Sequence, residues 1–349
     1  MSLYPKPNRN RHADVLVLGG NLTGLMTAYI LQKHNRTVLL CDAGEIGAAF
    51  PEFLRWTETV FGEEERSKDK IRARSGAIQT VREAADACAR PLTLSDAFLC
   101  SEDRNAENTF SLLGGSFRAS GLSGKTVSGE TSPLSGYAGF LARDAGLCYE
   151  PHTFAQGLCD LLAIRGAEIF ERTVIEEILP TRTGICAFTE SGYRLTASFL
   201  VDTTFPASVP LASRKRKIAY SGVSASVRKQ PLIFQEDEKN GICGVLDGFR
   251  SMVRRNVCSA FGKTSPVREF QQTAATRRAE KHLKTKMTET NGLLCKKEPA
   301  SGSTALARDG SRWYMLSTLG CPLLDSVVLA EDLLSLQHGG TSVFPLFRL

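Results

Sequence analysis

The sequence predicts an α/β fold in which a Rossmann-like domain with a parallel sheet is joined to a second domain with an antiparallel sheet. The chain has 349 residues, which is enough for more than one hydrophobic core. Within residues 13–42 a strand, a glycine turn, a helix and a second strand follow one another, the order of a parallel βαβ unit. A later amphipathic helix, residues 151–166, leads into three strand-like stretches, and this alternation favours the α/β class.

The composition indicates an ordinary globular chain with reduced thiols. Hydrophobic residues make up 42% and charged residues 23% of the sequence, shares typical of soluble domains. The 10 cysteines form no C-x-x-C pair, so they predict neither a metal site nor a disulfide scaffold, and we expect a cytoplasmic protein. Residues 13–31 are apolar, but Asp14, Asn21 and glycines interrupt them. We therefore expect no membrane-spanning segment and no contact with a membrane.

Positive charge is concentrated in one part of the chain. Residues 211–300 contain 19 Lys and Arg against 8 Asp and Glu, whereas the whole chain carries a net charge of +6. A basic segment of this kind can meet the phosphates of RNA. Its runs, such as SRKRK, lack interleaved aromatic residues, which favours a solvated face over a nucleic-acid site.

The stretch VLVLGGNLTGLMTA, residues 15–28, carries the clearest chemical signal. A glycine turn between a strand and a helix lets backbone N–H groups approach a pyrophosphate, and the helix N-terminus adds partial positive charge. Gly19 and Gly24 fill the first and third glycine positions, and Asn21 fills the second. Asp42 follows Gly24 by 18 residues at the end of the second strand, near the spacing at which an acid binds the adenosine ribose. The pattern predicts a dinucleotide site.

The stretch ADVLVLGGNLTGLMTAYILQKHNRTVLLCDAGEIG, residues 13–47, resembles the opening of the D-amino acid oxidase family of FAD-dependent oxidoreductases. This family includes glycine oxidase and sarcosine oxidase. The likeness continues in GFLARDAGLCYEPHTFAQGLCDLLAIRGAEIFERTVIEEI (residues 139–178), in FLVDTT (199–204) and in WYMLSTLGCPLLDSVVLAEDLL (313–334). The likeness covers about half of the chain, and almost all of it lies in the segments that we assign below to a cofactor-binding domain.

The resemblance implies that the chain binds FAD, and binds it non-covalently. It also implies that the backbone of Val174 meets the adenine and that the turn before the last helix faces the flavin ring. The expected cofactor-binding residues are Gly19, Gly20, Asn21, Leu22, Thr23, Gly24, Asp42, Ala43, Gly47, Val174, Gly320, Cys321 and Leu323.

We expect a discontinuous FAD-binding domain, because the opening βαβ unit, the middle helix and strands, and the last strand and helix belong to one nucleotide-binding layer. This domain is expected to comprise residues 12–90, 145–210 and 300–349. The substrate domain is expected to comprise residues 91–144 and 211–299. Within the first segment, PEFLRWTETVFG (residues 51–62) and REAADACAR (residues 82–90) are expected to be helical.

The activity implied by the resemblance is oxidation of a C–N bond in a small amine or amino acid, with hydride transfer to the flavin. The pattern designates no catalytic acid or base. An arginine often clamps a substrate carboxylate through two hydrogen bonds, and the candidates in the basic region are Arg250, Arg254 and Arg255.

Two departures from the family pattern favour a second hypothesis, a non-catalytic subunit of this fold that acts with a protein partner. Asn21 either crowds a phosphate or replaces the lost backbone contact by donating a hydrogen bond. The final turn keeps one glycine, Gly320, followed by Cys321 and Pro322, and proline has no N–H to donate. A third hypothesis, an RNA-acting flavoenzyme, rests on the basic region and on relatives of this fold that modify tRNA.

Overall fold

A computed structural model of the chain contains two β-sheets with helices packed against them. It describes residues 4–46, 56–61, 68–101, 106–128, 130, 138–204, 232–237, 241–245, 293–294, 305–316, 322–343 and 346–348. The helices are α1 (Leu22–Lys33), α2 (Lys68–Ala87), α3 (Ala106–Ala119), α4 (Pro151–Ile164) and α5 (Pro322–Gln337).

The first sheet is mixed, with a parallel centre. Its strands are β1 (Arg11–Leu18), β2 (Val38–Cys41), β7 (Glu168–Phe170), β8 (Ile175–Pro180), β9 (Ile185–Thr189), β10 (Arg194–Asp202), β14 (Ala305–Asp309), β15 (Arg312–Leu316) and β16 (Leu346–Arg348). Five of them, in the order β15-β10-β1-β2-β7, are all parallel where they pair. The hairpin β8–β9 pairs with β10 through β9, and β14 and β16 continue the sheet beyond β15.

The second sheet contains β3 (Trp56–Thr59), β4 (Thr93–Ser101), β5 (Gly124–Val127), β6 (Ala138–Tyr149), β11 (Leu232–Asp237), β12 (Gly241–Val245) and β13 (Leu293–Leu294). It is antiparallel except for the pair β12–β13. Its order is β13-β12-β11-β4-β6-β3, and β5 also pairs with β6.

The predicted fold class is confirmed. The opening βαβ unit is present, since β1 and β2 pair in parallel with Val15 opposite Val38 and are joined by α1. The division into two discontinuous domains stays a prediction. The strand β3 lies within residues 12–90 but pairs with β6 in the second sheet.

Helix α1 lies at the centre of the core. Its residues from Leu22 to Leu31 are all buried, because the sheet covers one side while α4 and α5 pack against the helix. A continuous apolar cluster extends from α1 to Phe117 of α3 and Phe140 of β6. The ring centroids of these two phenylalanines are 5.0 Å apart. The opposite face of the first sheet is covered by the β8–β9 hairpin, which contributes Ile185.

The start of α1 approaches β1 so closely that only glycine fits. A Cβ at Gly24 would overlap the carbonyl oxygen of Gly19 and would lie 2.8 Å from Thr203 Oγ1. Gly19 itself has a φ of +108°, a conformation that side chains disfavour. The two glycines therefore set the distance between the helix and the sheet, as their positions in the sequence predict.

One predicted helix is wrong in its described part. The segment PEFLRWTETVFG contains the strand β3 (Trp56–Thr59), in keeping with its tryptophan and two threonines, which favour strands. The prediction for residues 82–90 is confirmed for the part that α2 covers.

No helix in the described part of the chain is long and apolar enough to cross a membrane. Cys41, Cys88, Cys148, Cys159 and Cys186 are free thiols. Most of the basic region lies outside the described residues.

We expect Gly24→Ala to lower the free energy of unfolding by about 1–3 kcal/mol, the usual effect of forcing extra atoms into a packed site. Gly76→Ala is the matched control, because Gly76 is also helical but a Cβ there meets nothing within 4 Å. That change should stabilise the protein by about 0.5–1 kcal/mol. Denaturant unfolding of both variants checks this, and equal stability of the two would contradict the close approach.

Candidate functional site

Several parallel strands end at one edge of the first sheet, and the residues predicted to bind a nucleotide follow them. The turn of residues 19–24 follows β1, Asp42 follows β2 and Thr203 follows β10. The strand β15, parallel to β10, ends at the same edge ahead of α5. Ligands of open α/β sheets bind outside the carboxyl ends of the strands. This edge is therefore the candidate site.

Asn21 is the N-cap of α1, and its side chain is held against the protein. Its Oδ1 accepts a hydrogen bond from the Gly24 N–H at 2.9 Å, and its Nδ2 donates to the Thr203 carbonyl at 2.9 Å. Asparagine is among the preferred N-cap residues because its side chain satisfies an unpaired amide of the first turn. The structure thus gives Asn21 a role in capping the helix, which the comparison with a glycine motif did not suggest.

Asp42 lies over the glycine turn and is partly buried. Its Oδ2 accepts from the Gly20 N–H at 2.5 Å and its Oδ1 accepts from the Gly44 N–H at 2.7 Å. An ionised carboxylate has about four acceptor positions, so these two amides leave acceptors for further hydroxyl groups. The preceding Cys41 is not a competing anion, because burial raises the pKa of its thiol.

The loop after Asp42 is bound to the segment that contains Val174. The Thr173 N–H donates to the Asp42 carbonyl at 2.8 Å, and the Ile46 N–H donates to the buried Glu171 carboxylate at 2.8 Å. Val174 follows directly and its side chain is 42% exposed. Asp42 and Val174, which are far apart in the sequence, therefore lie at the same end of the sheet.

The start of α5 is occupied by a carboxylate from the second sheet. Glu58, on β3, is fully buried, and its Oε1 and Oε2 accept from the Leu323 N–H at 3.1 and 3.2 Å. Its Oε2 also accepts from the Leu324 N–H at 3.0 Å, and the Tyr149 hydroxyl donates to its Oε1. An anion at a helix N-terminus is stabilised by the amides and the dipole. Glu58 thus accepts the hydrogen bonds of two N–H groups in the first turn of the last helix, α5.

A buried ion pair fixes the same helix end against α2. The Arg74 guanidinium donates to Asp325 in the first turn of α5, with Nε and Oδ1 2.7 Å apart. Both side chains are almost completely buried, at 4% and 0% exposure. Removing one partner of such a pair leaves an uncompensated buried charge, so the start of α5 is held in place.

The remaining residues that the sequence predicted to bind cofactor or substrate differ in their burial, and some of them lie outside the described part of the chain. The side chains of Leu22 and Thr23 are buried, so only their backbone faces the turn, while Ala43 is exposed. Sequence reasoning missed Glu58, since its segment was expected to be helical. Outside the described residues lie Gly47, Gly320, Cys321, Arg250, Arg254 and Arg255.

A family model described as "DAO: FAD dependent oxidoreductase" matches residues 14–204, more than half of the chain. The chain belongs to this family. The family expected from the resemblance is therefore confirmed, and its members are FAD-dependent oxidoreductases. No curated protein matches the chain.

Solved structures share the fold over nearly the whole chain. L-proline dehydrogenase from P. horikoshii superposes with a TM-score of 0.65 at 14% identity, covering 96% of both chains. L-amino acid deaminase from Proteus vulgaris gives a TM-score of 0.62 at 13% identity, covering 99% of this chain and 98% of that one. Glycine oxidase from Geobacillus kaustophilus gives 0.59 at 15% identity, covering 96% and 97%. At these identities the likeness concerns the fold.

The two ends of the candidate site differ in how well their residues fit FAD. At α1 the close backbone of Gly19 and Gly24 and the acceptors of Asp42 suit an adenosine diphosphate group. At α5 the amide of Leu323, one of the residues expected to bind the cofactor, donates to Glu58. Within the described residues, no group of three His, Cys, Asp or Glu side chains is placed to hold a metal ion.

We expect Asn21→Ala to lower the free energy of unfolding by about 1–2 kcal/mol, because the cap of α1 is lost. Asn21→Ser keeps a cap acceptor and should lose less stability. Denaturant unfolding of the two variants measures the difference. If the alanine variant is as stable as the wild type, the Asn21 side chain does not cap the helix.

Proposed function

We propose that this chain is an FAD-dependent oxidoreductase that oxidises a C–N bond of a small amino acid or secondary amine. FAD, bound non-covalently, supplies the acceptor for the hydride that leaves the substrate's α-carbon. The observation that carries the proposal is the position of Asp42, whose carboxylate lies over the glycine turn and accepts the Gly20 N–H at 2.5 Å.

In this proposal each group at the carboxyl edge has a separate task. Amides at the start of α1 bind the pyrophosphate, since the glycines let the helix begin close to the carboxyl end of β1. The Asp42 carboxylate accepts hydrogen bonds from the ribose hydroxyls. The backbone at Val174 meets the adenine; its carbonyl already accepts the Glu190 N–H at 3.0 Å, and a carbonyl oxygen has a second lone pair.

The substrate class is inferred from the family and from the names of proteins with this fold. Their printed names are L-proline dehydrogenase, L-amino acid deaminase and glycine oxidase, and all three names refer to amino acids. A carboxylate-binding arginine is the group that such substrates need. Arg250, Arg254 and Arg255 stay the candidates for this task.

A second candidate function, a non-catalytic subunit in a protein complex, is favoured by one observation. Glu58 satisfies the Leu323 and Leu324 amides from inside the protein. Anaerobic mixing of the FAD-loaded protein with amino acids and secondary amines separates the two functions. Loss of the oxidised-flavin absorbance supports the oxidoreductase, whereas bound FAD that none of these compounds reduces supports the non-catalytic subunit.

We expect Asp42→Ala to weaken FAD binding about tenfold or more, since losing hydrogen bonds to a charged group costs about 1.5–3 kcal/mol. Titration of FAD with flavin fluorescence as the readout measures this. Asp14→Ala is the matched control. Asp14 Oδ2 accepts two hydrogen bonds from Thr37, at 2.8 Å each, but Asp14 lies in the first half of β1, before the end that leads into the glycine turn.

The control variant should bind FAD as the wild type does. Equal affinity of the Asp42→Ala variant and the wild type would refute the assignment of Asp42 to the ribose. Absence of FAD binding to the wild type at any concentration would refute the proposed function.

A further inference from the structure

We infer that Glu58 competes internally with the flavin ring for the amides at the start of α5. The carboxylate occupies these donors, so the ring end of FAD docks there only after Glu58 has moved away. This inference rests on the proposed function, because it requires FAD to bind at the glycine turn.

Glu58 is held by groups from two different elements. Two consecutive amides of α5 donate to it, from Leu323 and Leu324, and the Tyr149 hydroxyl donates from β6. A buried carboxylate is costly unless hydrogen bonds compensate its desolvation. Here three donors and the positive end of a helix dipole provide that compensation. The arrangement is therefore complete without any ligand.

The fold brings Glu58 to this position through the second sheet. In the antiparallel pair β3–β6, Glu58 lies opposite Leu147, two residues before Tyr149. The ion pair of Arg74 and Asp325 fixes the start of α5 on its other side, against α2. The helix end therefore cannot easily retreat from Glu58, and a ligand has to displace the carboxylate itself.

An oxidised flavin ring offers neutral carbonyl oxygens and ring nitrogens to these amides, whereas Glu58 offers a carboxylate. Hydrogen bonds to an ionised acceptor are stronger than those to a neutral one. The competition thus favours Glu58 and weakens only the ring end of FAD. The adenosine diphosphate part binds at α1, away from Glu58, and ADP should be unaffected.

The test compares the affinities of ADP and FAD for the wild type and for Glu58→Ala and Glu58→Gln, by calorimetry for ADP and flavin fluorescence for FAD. We expect Glu58→Ala to tighten FAD binding about tenfold or more while ADP affinity stays within about twofold. Glu58→Gln removes the charge but keeps an acceptor, so it should give a smaller gain. Near-UV circular dichroism establishes that each variant is folded.

Asp332→Ala is the matched control at the other end of α5. Asp332 is also a buried carboxylate, and its Oδ2 accepts from the Val343 N–H at 2.9 Å and the Ser342 hydroxyl at 2.7 Å. Its removal should leave the ratio of FAD to ADP affinity unchanged. A gain in this control equal to that of Glu58→Ala would overturn the inference, since the effect would then be general loosening.

The binding measurements give one result if this inference is wrong and another if the proposed function is wrong. If ADP and FAD bind with an unchanged affinity ratio in both Glu58 variants, Glu58 does not compete and the proposed function stands. If neither ligand binds any variant, both are overturned. Should Glu58→Ala fail to fold, the glutamine variant decides: a native spectrum with FAD affinity equal to that of the wild type overturns the inference.

Discussion

The close approach of α1 to β1 determines how the core packs and where the candidate site lies. It exists because Gly24 has no Cβ, which would overlap the Gly19 carbonyl. Once α1 lies this close to the sheet, its residues from Leu22 to Leu31 are enclosed by the sheet, α4 and α5. The same approach leaves the amides of the first turn beside the carboxyl ends of the strands. The packing of the core and the geometry of the candidate site therefore follow from one pair of glycines.

Different kinds of side chain contact the two helix N-termini at this edge, those of α1 and α5. The start of α1 is capped by a neutral amide side chain, Asn21, and Asp42 contacts the turn while keeping free acceptor positions. The start of α5 is closed by the fully buried carboxylate of Glu58. Helix ends favour anions in both places, but Asp42 accepts from Gly20, which precedes the N-cap of α1, whereas Glu58 accepts from amides of α5 itself. If FAD binds as proposed, this contrast predicts that its adenosine diphosphate part is held more firmly than its ring.

The fold could be predicted because its signals are local. The βαβ unit, its glycines and Asp42 all lie within 30 residues of one another, and their spacing follows from backbone geometry. The capping role of Asn21 was also available from its residue type and its place before an apolar helix. Glu58 could not be found in this way. Its strand was taken for a helix, and its partner Leu323 lies 265 residues away, a distance over which sequence spacing carries no geometric information.

We propose that FAD binds at the glycine turn and meets Glu58 at its ring end. A crystal structure of the chain grown with FAD would test both parts of this proposal. We expect ordered density for the adenosine diphosphate part at the start of α1, with the ribose on Asp42. We also expect any ordered ring near α5 to be accompanied by a Glu58 carboxylate that has left the Leu323 and Leu324 amides. Density for the nucleotide elsewhere, or an ordered ring at α5 with Glu58 still on those amides, would contradict this proposal.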